Sequence, residues 1–140
     1  MRIAIGCDHA GVDMKQALIE SVLRDHTVLD YGTDSAEPVD YPDVAKQVAA
    51  AVASGEADRG ILVCGTGIGM AMAAGKTPGI RAAACVEPYS AELCRRHNDA
   101  NVLCLGARIS AVGMAKKIAE TWLESPFDGG RHARRVEKIG

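Results

Sequence analysis

Gly60-Ile61-Leu62-Val63-Cys64-Gly65-Thr66-Gly67-Ile68-Gly69 runs from a continuous apolar stretch into glycines at alternate positions and then into a segment of helical period. Such a run reads as a strand covered on both faces, a tight turn and a helix start. The glycines let the backbone turn sharply and leave N–H groups free to face an anion. The same alternation of apolar run and helical segment recurs along the chain. Residues 2–7, 27–31, 81–86 and 101–105 read as strands beside 60–64, and helical patterns fall at about 11–24, 43–54, 68–75, 88–97 and 111–124. In the first helix Val12, Leu18, Ile19, Val22 and Leu23 form an apolar stripe against Lys15, Glu20, Arg24 and Asp25. Five β-α units in succession predict an α/β, three-layer Rossmann-like fold: a five-stranded parallel sheet with helices on both faces. Ligands of such sheets sit outside the carboxyl ends of the strands, so the residues just after each strand are the ones to inspect.

The chain has 140 residues, 48% hydrophobic and 24% charged, with a formal net charge of −2. That length suits one domain over 1–140. One Phe, one Trp and three Tyr on a slightly acidic chain give neither the charge nor the stacking surface of a nucleic-acid binder. The N-terminus carries no targeting pattern, and no apolar stretch approaches the roughly 20 residues of a bilayer span. Five cysteines, Cys7, Cys64, Cys85, Cys94 and Cys104, lack CxxC spacing and sit mostly in apolar runs. They read as buried, reduced thiols and place the chain in the cytoplasm. His9, His26, His97 and His132 show no metal-ligand spacing, so no metal is expected. Beyond Ser125-Pro126 the character changes: residues 127–140 hold Arg131, Arg134, Arg135 and Lys138 against Asp128 and Glu137, a basic C-terminal tail.

Four places offer chemistry. Cys64 stands at the lip of the glycine turn, where N–H groups favour a thiolate able to act as nucleophile or base; a packed core cysteine is the alternative. The turn matches neither nucleotide motif. A dinucleotide fingerprint and a P-loop each need glycine where Met70 stands, and Pro78-Gly79 ends the helix where a P-loop would begin one. Cys7-Asp8-His9 ends the first strand; Asp8 suits a sugar hydroxyl or a simple N-cap, and His9 a phosphate or a proton. His97-Asn98-Asp99 ends a helix, where a histidine also serves as a C-terminal cap. Arg131 and Arg135, four apart, share one helical face and suit a phosphate as well as they suit solvent.

Six blocks taken together resemble the type B ribose-5-phosphate isomerase family, within the wider ribose, galactose and allose phosphate isomerases. They are Gly6-Cys7-Asp8-His9-Ala10-Gly11, Asp40-Tyr41-Pro42, Cys64-Gly65-Thr66-Gly67-Ile68-Gly69-Met70, Glu87-Pro88-Tyr89-Ser90-Ala91, Arg96-His97-Asn98-Asp99-Ala100-Asn101-Val102 and Gly129-Gly130-Arg131-His132. The resemblance implies interconversion of ribose 5-phosphate and ribulose 5-phosphate through an enediolate, a step of the pentose phosphate pathway, with no cofactor. It implies Cys64 as the base at C2, Thr66 as a proton relay, and Gly65, Gly67 and Gly69 as the turn that holds the enediolate oxygen. His97 would open the furanose ring with Asn98 on a hydroxyl, while Asp8 and Tyr41 line the sugar. His9, Arg108, Arg131 and Arg135 would hold the phosphate, the tail closing the site. It further implies a homodimer, or a tetramer, in which His97, Asn98 and Arg108 reach the Cys64 of the other copy. Ala71 departs from a serine common in relatives. Two other readings stay open: a six-carbon isomerase such as one for allose 6-phosphate, and a regulatory module whose glycine loop only cradles a phosphate or nucleotide.

Overall fold

A computed structural model describes residues 1–140. The elements are β1 (Arg2–Cys7), α1 (Val12–Glu20), β2 (Thr27–Asp30), α2 (Tyr41–Ala53), β3 (Arg59–Cys64), α3 (Ile68–Ala74), β4 (Ala82–Ala84), α4 (Pro88–Arg96), β5 (Val102–Gly106), α5 (Val112–Glu124) and α6 (Arg131–Ile139). The five strands pair in the order β2-β1-β3-β5-β4, every pair parallel. The parallel sheet expected from the sequence is therefore present, and its crossover point lies between β1 and β3, beside Cys64.

Alternation along each strand builds two cores. Ile3, Ile5, Cys7, Ile61, Val63, Leu103 and Leu105 face α1, α4 and α5, where Trp122 is the largest buried side chain. Ala4, Leu62, Cys64, Val102 and Cys104 face α2 and α3. On that second face α2 packs close: a Cβ on Gly60 would lie 2.7 Å from Val48 Cγ1, so only glycine admits the helix at this distance. No helix is long and apolar enough to cross a membrane.

The structure adds to or departs from the sequence reading at α1 and at the tail. The first helix stops at Glu20, because the Ser21 hydroxyl donates to the Ala17 carbonyl at 2.6 Å and the chain leaves helical geometry there. Lys15, read as part of a solvated face, is only 1% exposed; its ammonium donates to Asp30 at 2.8 Å and to Asp34 at 3.1 Å. The tail forms a sixth helix, α6, none of whose residues is buried.

Candidate active site

β3 delivers Cys64 to the carboxyl edge of the sheet, 5% exposed and walled by α3. The turn that follows is possible only with glycine at 67: its φ is +80°, and a Cβ there would lie 3.1 Å from the Leu105 carbonyl carbon. That conformation points the Gly67 N–H back at the Cys64 sulfur, which accepts it at 3.1 Å. A donor so placed stabilises negative charge on sulfur. The Thr66 hydroxyl accepts from the Ile68 N–H at 3.2 Å, leaving its own hydrogen free to donate outward. The N–H groups of Gly65, Thr66 and Gly69 have no partner within the chain.

Around this turn lies an open concavity of about 290 Å³ lined by Asp8, Tyr41, Cys64, Gly65, Thr66, Gly69 and Arg108. Asp8 follows β1; its carboxylate accepts from the Ala10 N–H at 2.9 Å, so it closes a local turn and is not the cap of α1, which is Gly11. Tyr41 opens α2 and lays its ring over Gly69, where an added Cβ would meet Tyr41 Cε1 at 2.6 Å. Arg108 follows β5, its N–H bonded to the Gly65 carbonyl at 3.0 Å and its guanidinium beside Gly65. This corrects one expectation: Arg108 belongs with the Cys64 of its own chain. The reason is the register, which pairs Cys64 with Gly106 and so sets Arg108 beside the turn.

The remaining sequence candidates lie elsewhere. His9 is half-buried and its Nδ1 accepts from the Val39 N–H at 3.4 Å, tying down the loop that leads to Tyr41. Asn98 lines a separate hollow of about 340 Å³ with Arg81, Cys94 and Ile139. His97 caps α4, and its ring stacks on His132 with centroids 4.3 Å apart and planes 7° from parallel. Arg131 and Arg135 lie on α6 with His132. Neither this pair nor His97 and Asn98 lines the Cys64 concavity of the same chain. Helices in a parallel sheet run back against the strands, so the end of α4 falls at the opposite edge from the end of β3.

Sequence reasoning missed the His97–His132 stack, because residues 35 apart with no shared periodicity give no signal. It also missed that Asp128 joins them, one polar atom from each of the three lying within 4.8 Å of the other two. Parallel rings direct their lone pairs side by side rather than to one point, and Asp128 is already paired with Arg96 at 3.1 Å. The arrangement therefore suits stacking better than metal coordination. A larger concavity, about 420 Å³, is lined by Asp34, Asp40 and Asp43 without a basic residue, the wrong charge for a phosphate ester.

The model of the Ribose/Galactose Isomerase family matches residues 3–139. The ribose-5-phosphate isomerase B of Escherichia coli K12 is 52% identical over 139 residues, spanning 99% of this chain and 93% of that protein. A D-erythrulose-4-phosphate isomerase of Pectobacterium atrosepticum is 46% identical over 142 residues, spanning 100% and 93%. Among solved structures, ribose-5-phosphate isomerase B of Clostridium thermocellum superposes with a TM-score of 0.98 at 52% identity, covering 100% of this chain and 95% of that one.

Proposed function

The chain belongs to the ribose/galactose isomerase family, and from that membership together with the Cys64 pocket we infer that it is an aldose–ketose isomerase interconverting ribose 5-phosphate and ribulose 5-phosphate. The observation that carries the mechanism is the Gly67 N–H on the Cys64 sulfur, at the floor of a concavity that also holds Thr66, Asp8, Tyr41 and Arg108. A base for a carbon acid needs a lone pair held dry and aimed, and a thiolate supported by backbone donors meets that need.

The Cys64 thiolate takes the C2 proton of the open-chain aldose. The C2–H pair becomes the C1–C2 double bond, and the carbonyl pair moves onto O1, where the free N–H groups of the turn receive the charge. The thiol then returns the proton to C1, while the Thr66 hydroxyl carries the O2 proton to O1 and leaves the ketone at C2. Asp8 and Tyr41 hold sugar hydroxyls, and Arg108 and His9 meet the phosphate from the Cys64 side.

Ring opening needs a second copy. His97 and Asn98 sit at the far edge of their own sheet, so they serve the Cys64 of a partner in a homodimer, or in a tetramer built from such dimers. The stack on His132 carries α6 along with His97, so Arg131 and Arg135 close the same partner site from the tail. Exposed Ile68, Met72, Val86, Tyr89 and Ile109 all follow β3, β4 or β5, and a partner seated on the carboxyl edge would cover them. The five unpaired thiols suit a reducing compartment, the cytoplasm.

The test is turnover of ribose 5-phosphate in heavy water, following deuterium at the exchanging carbon and ketose formation. Cys64→Ala abolishes both if Cys64 is the base, and undiminished exchange in that variant refutes the assignment. Allose 6-phosphate run alongside measures the preference for sugar length.

A further inference from the structure

His97 ends α4 half-exposed, and its imidazole has no hydrogen-bond partner within the chain; what orients it is the parallel face of His132 at 4.3 Å. An acid or base must meet its proton at a fixed angle and distance, and a side chain with two free torsions at a helix end does not hold one by itself. Helix α6, which supplies His132, buries none of its residues. Near its start it is held by the Asp128 N–H on the Arg96 carbonyl at 3.0 Å, the Asp128–Arg96 ion pair at 3.1 Å, and the stack itself. The helix also carries Arg131 and Arg135, one residue before and three after the stacked ring.

Resting on the reading of His97 as the ring-opening group, we propose that His132 is a positioning residue: stacked on His97, it fixes the imidazole for the furanose oxygen and ties that orientation to the helix whose arginines hold the phosphate. Charge is consistent with this role. Partial burial, then the facing His97, Arg131 and Arg135, hold His132 below the usual histidine range against the opposing pull of Asp128. A ring whose charged form is disfavoured in this way presents its face to the stack with less repulsion.

The chemistry of the two sugars separates this role from others. Ribose 5-phosphate closes a furanose through O4 and must be opened. Ribulose 5-phosphate cannot close a five-membered ring, because its O5 is esterified, so exchange of its C1 proton with solvent needs the enediolate step but no ring opening. The experiment measures both reactions in the full-length protein for wild type, His132→Ala, His132→Phe and His97→Ala. For His132→Ala we expect kcat on ribose 5-phosphate to fall about tenfold, part of the roughly 100-fold or more that a positioned acid or base contributes. KM and the exchange into ribulose 5-phosphate stay at wild-type values, and His132→Phe, which keeps a flat stacking face, restores turnover. Wild-type kcat in His132→Ala overturns the proposal. So does a rise in KM for both sugars at unchanged kcat, the signature of a tether for α6 alone, and so does a phenylalanine variant no better than alanine. If His97→Ala slows ribose 5-phosphate while His132→Ala does not, this inference alone fails; if His97→Ala changes nothing, the ring-opening assignment fails first. Since no residue of α6 is fully buried, these variants should leave the domain folded.

Discussion

Gly106→Ala tests whether the glycine turn is positioned by the sheet beneath it. Gly106 closes β5 in register with Cys64, and a Cβ there would lie 2.8 Å from the carbonyl carbon and oxygen of Thr66 and 2.9 Å from its Cα. Ordinary contact begins near 3.4 Å, and backbone cannot rotate away as a side chain can, so Thr66 must retreat by about 0.6 Å. Overpacking of this kind costs about 1–3 kcal/mol, which for a domain of this size lowers Tm by about 3–12 °C. The larger effect falls on activity. The displaced segment carries the Thr66 hydroxyl and the free N–H groups of Gly65 and Thr66, and losing one well-placed oxyanion donor costs about 100-fold or more. A shift of this size should therefore lower kcat on ribose 5-phosphate by about 10- to 100-fold, with Arg108 left to hold KM near wild type. Initial rates of ketose formation, with circular dichroism melting, read both quantities. Gly113→Ala is the control, since an added Cβ meets nothing within 4 Å and the first turn of α5 gains about 0.5–1 kcal/mol of helix preference. Activity of Gly106→Ala within threefold of wild type, or equal loss in both variants, would show that the turn does not depend on the β5 backbone beneath it.

Asp30→Asn should destabilise by about 2 kcal/mol in denaturant titration, and more than Lys15→Met, because it leaves a buried ammonium with the exposed Asp34 as its one remaining carboxylate, whereas methionine keeps the packed stem and removes the charge. Burial opposes the Lys15 charge, but Asp30 and Asp34 outweigh it and raise its pKa above 10.5; the pair's stabilisation is thus complete below pH 10.5 and fades as pH climbs through the folded value, which alkaline melts of wild type and Lys15→Met will show. Iodoacetamide at pH 8 should modify Cys64 ahead of Cys7 and Cys104, by peptide mapping, since Cys64 lines an open concavity whereas burial pushes Cys7 up to about 11 and pushes Cys104 up as well. Mixing Cys64→Ala with His97→Ala subunits should restore about one quarter of wild-type activity, as half the dimers are mixed and each keeps one intact site of two.

The layer architecture was legible because its signal is local. Residues such as Ile61-Leu62-Val63 are apolar on both sides of the sheet, and short continuous apolar runs between glycine turns fit a strand covered on both faces better than a half-solvated strand or an amphipathic helix. Lys15 is misread from sequence for the opposite reason. Its position on α1 follows helical period, but its partners Asp30 and Asp34 come from β2 and the loop after it, and only the β1–β2 pairing brings them over the helix. For α6 the sequence offers only the four-residue spacing of Arg131 and Arg135 and no apolar stripe, because none of its residues is fully buried in its own chain.

The site divides along an edge rule that the sequence contained but that motif matching did not use. Whatever follows a strand of a parallel sheet arrives at the carboxyl edge, and whatever ends a helix between two strands arrives at the opposite edge. Cys64 ends a strand and Asp8, Thr66 and Arg108 follow one, and the structure gathers all four in one concavity. His97 and Asn98 end α4 before β5, and neither joins them. The family pattern assigns Arg108 to the second copy, although its place two residues beyond β5 already argues for the first. The rule makes the subunit-mixing experiment sharper than a test of dimerisation. Arg108→Ala should complement His97→Ala but not Cys64→Ala, since Arg108 and Cys64 fail together on one side of the site. Arg131→Ala should do the reverse, riding on α6 with His97. A pattern in which Arg108 complements Cys64 would return the arginine to the partner and break the rule at the position where register, hydrogen bonding and the pocket lining all agree.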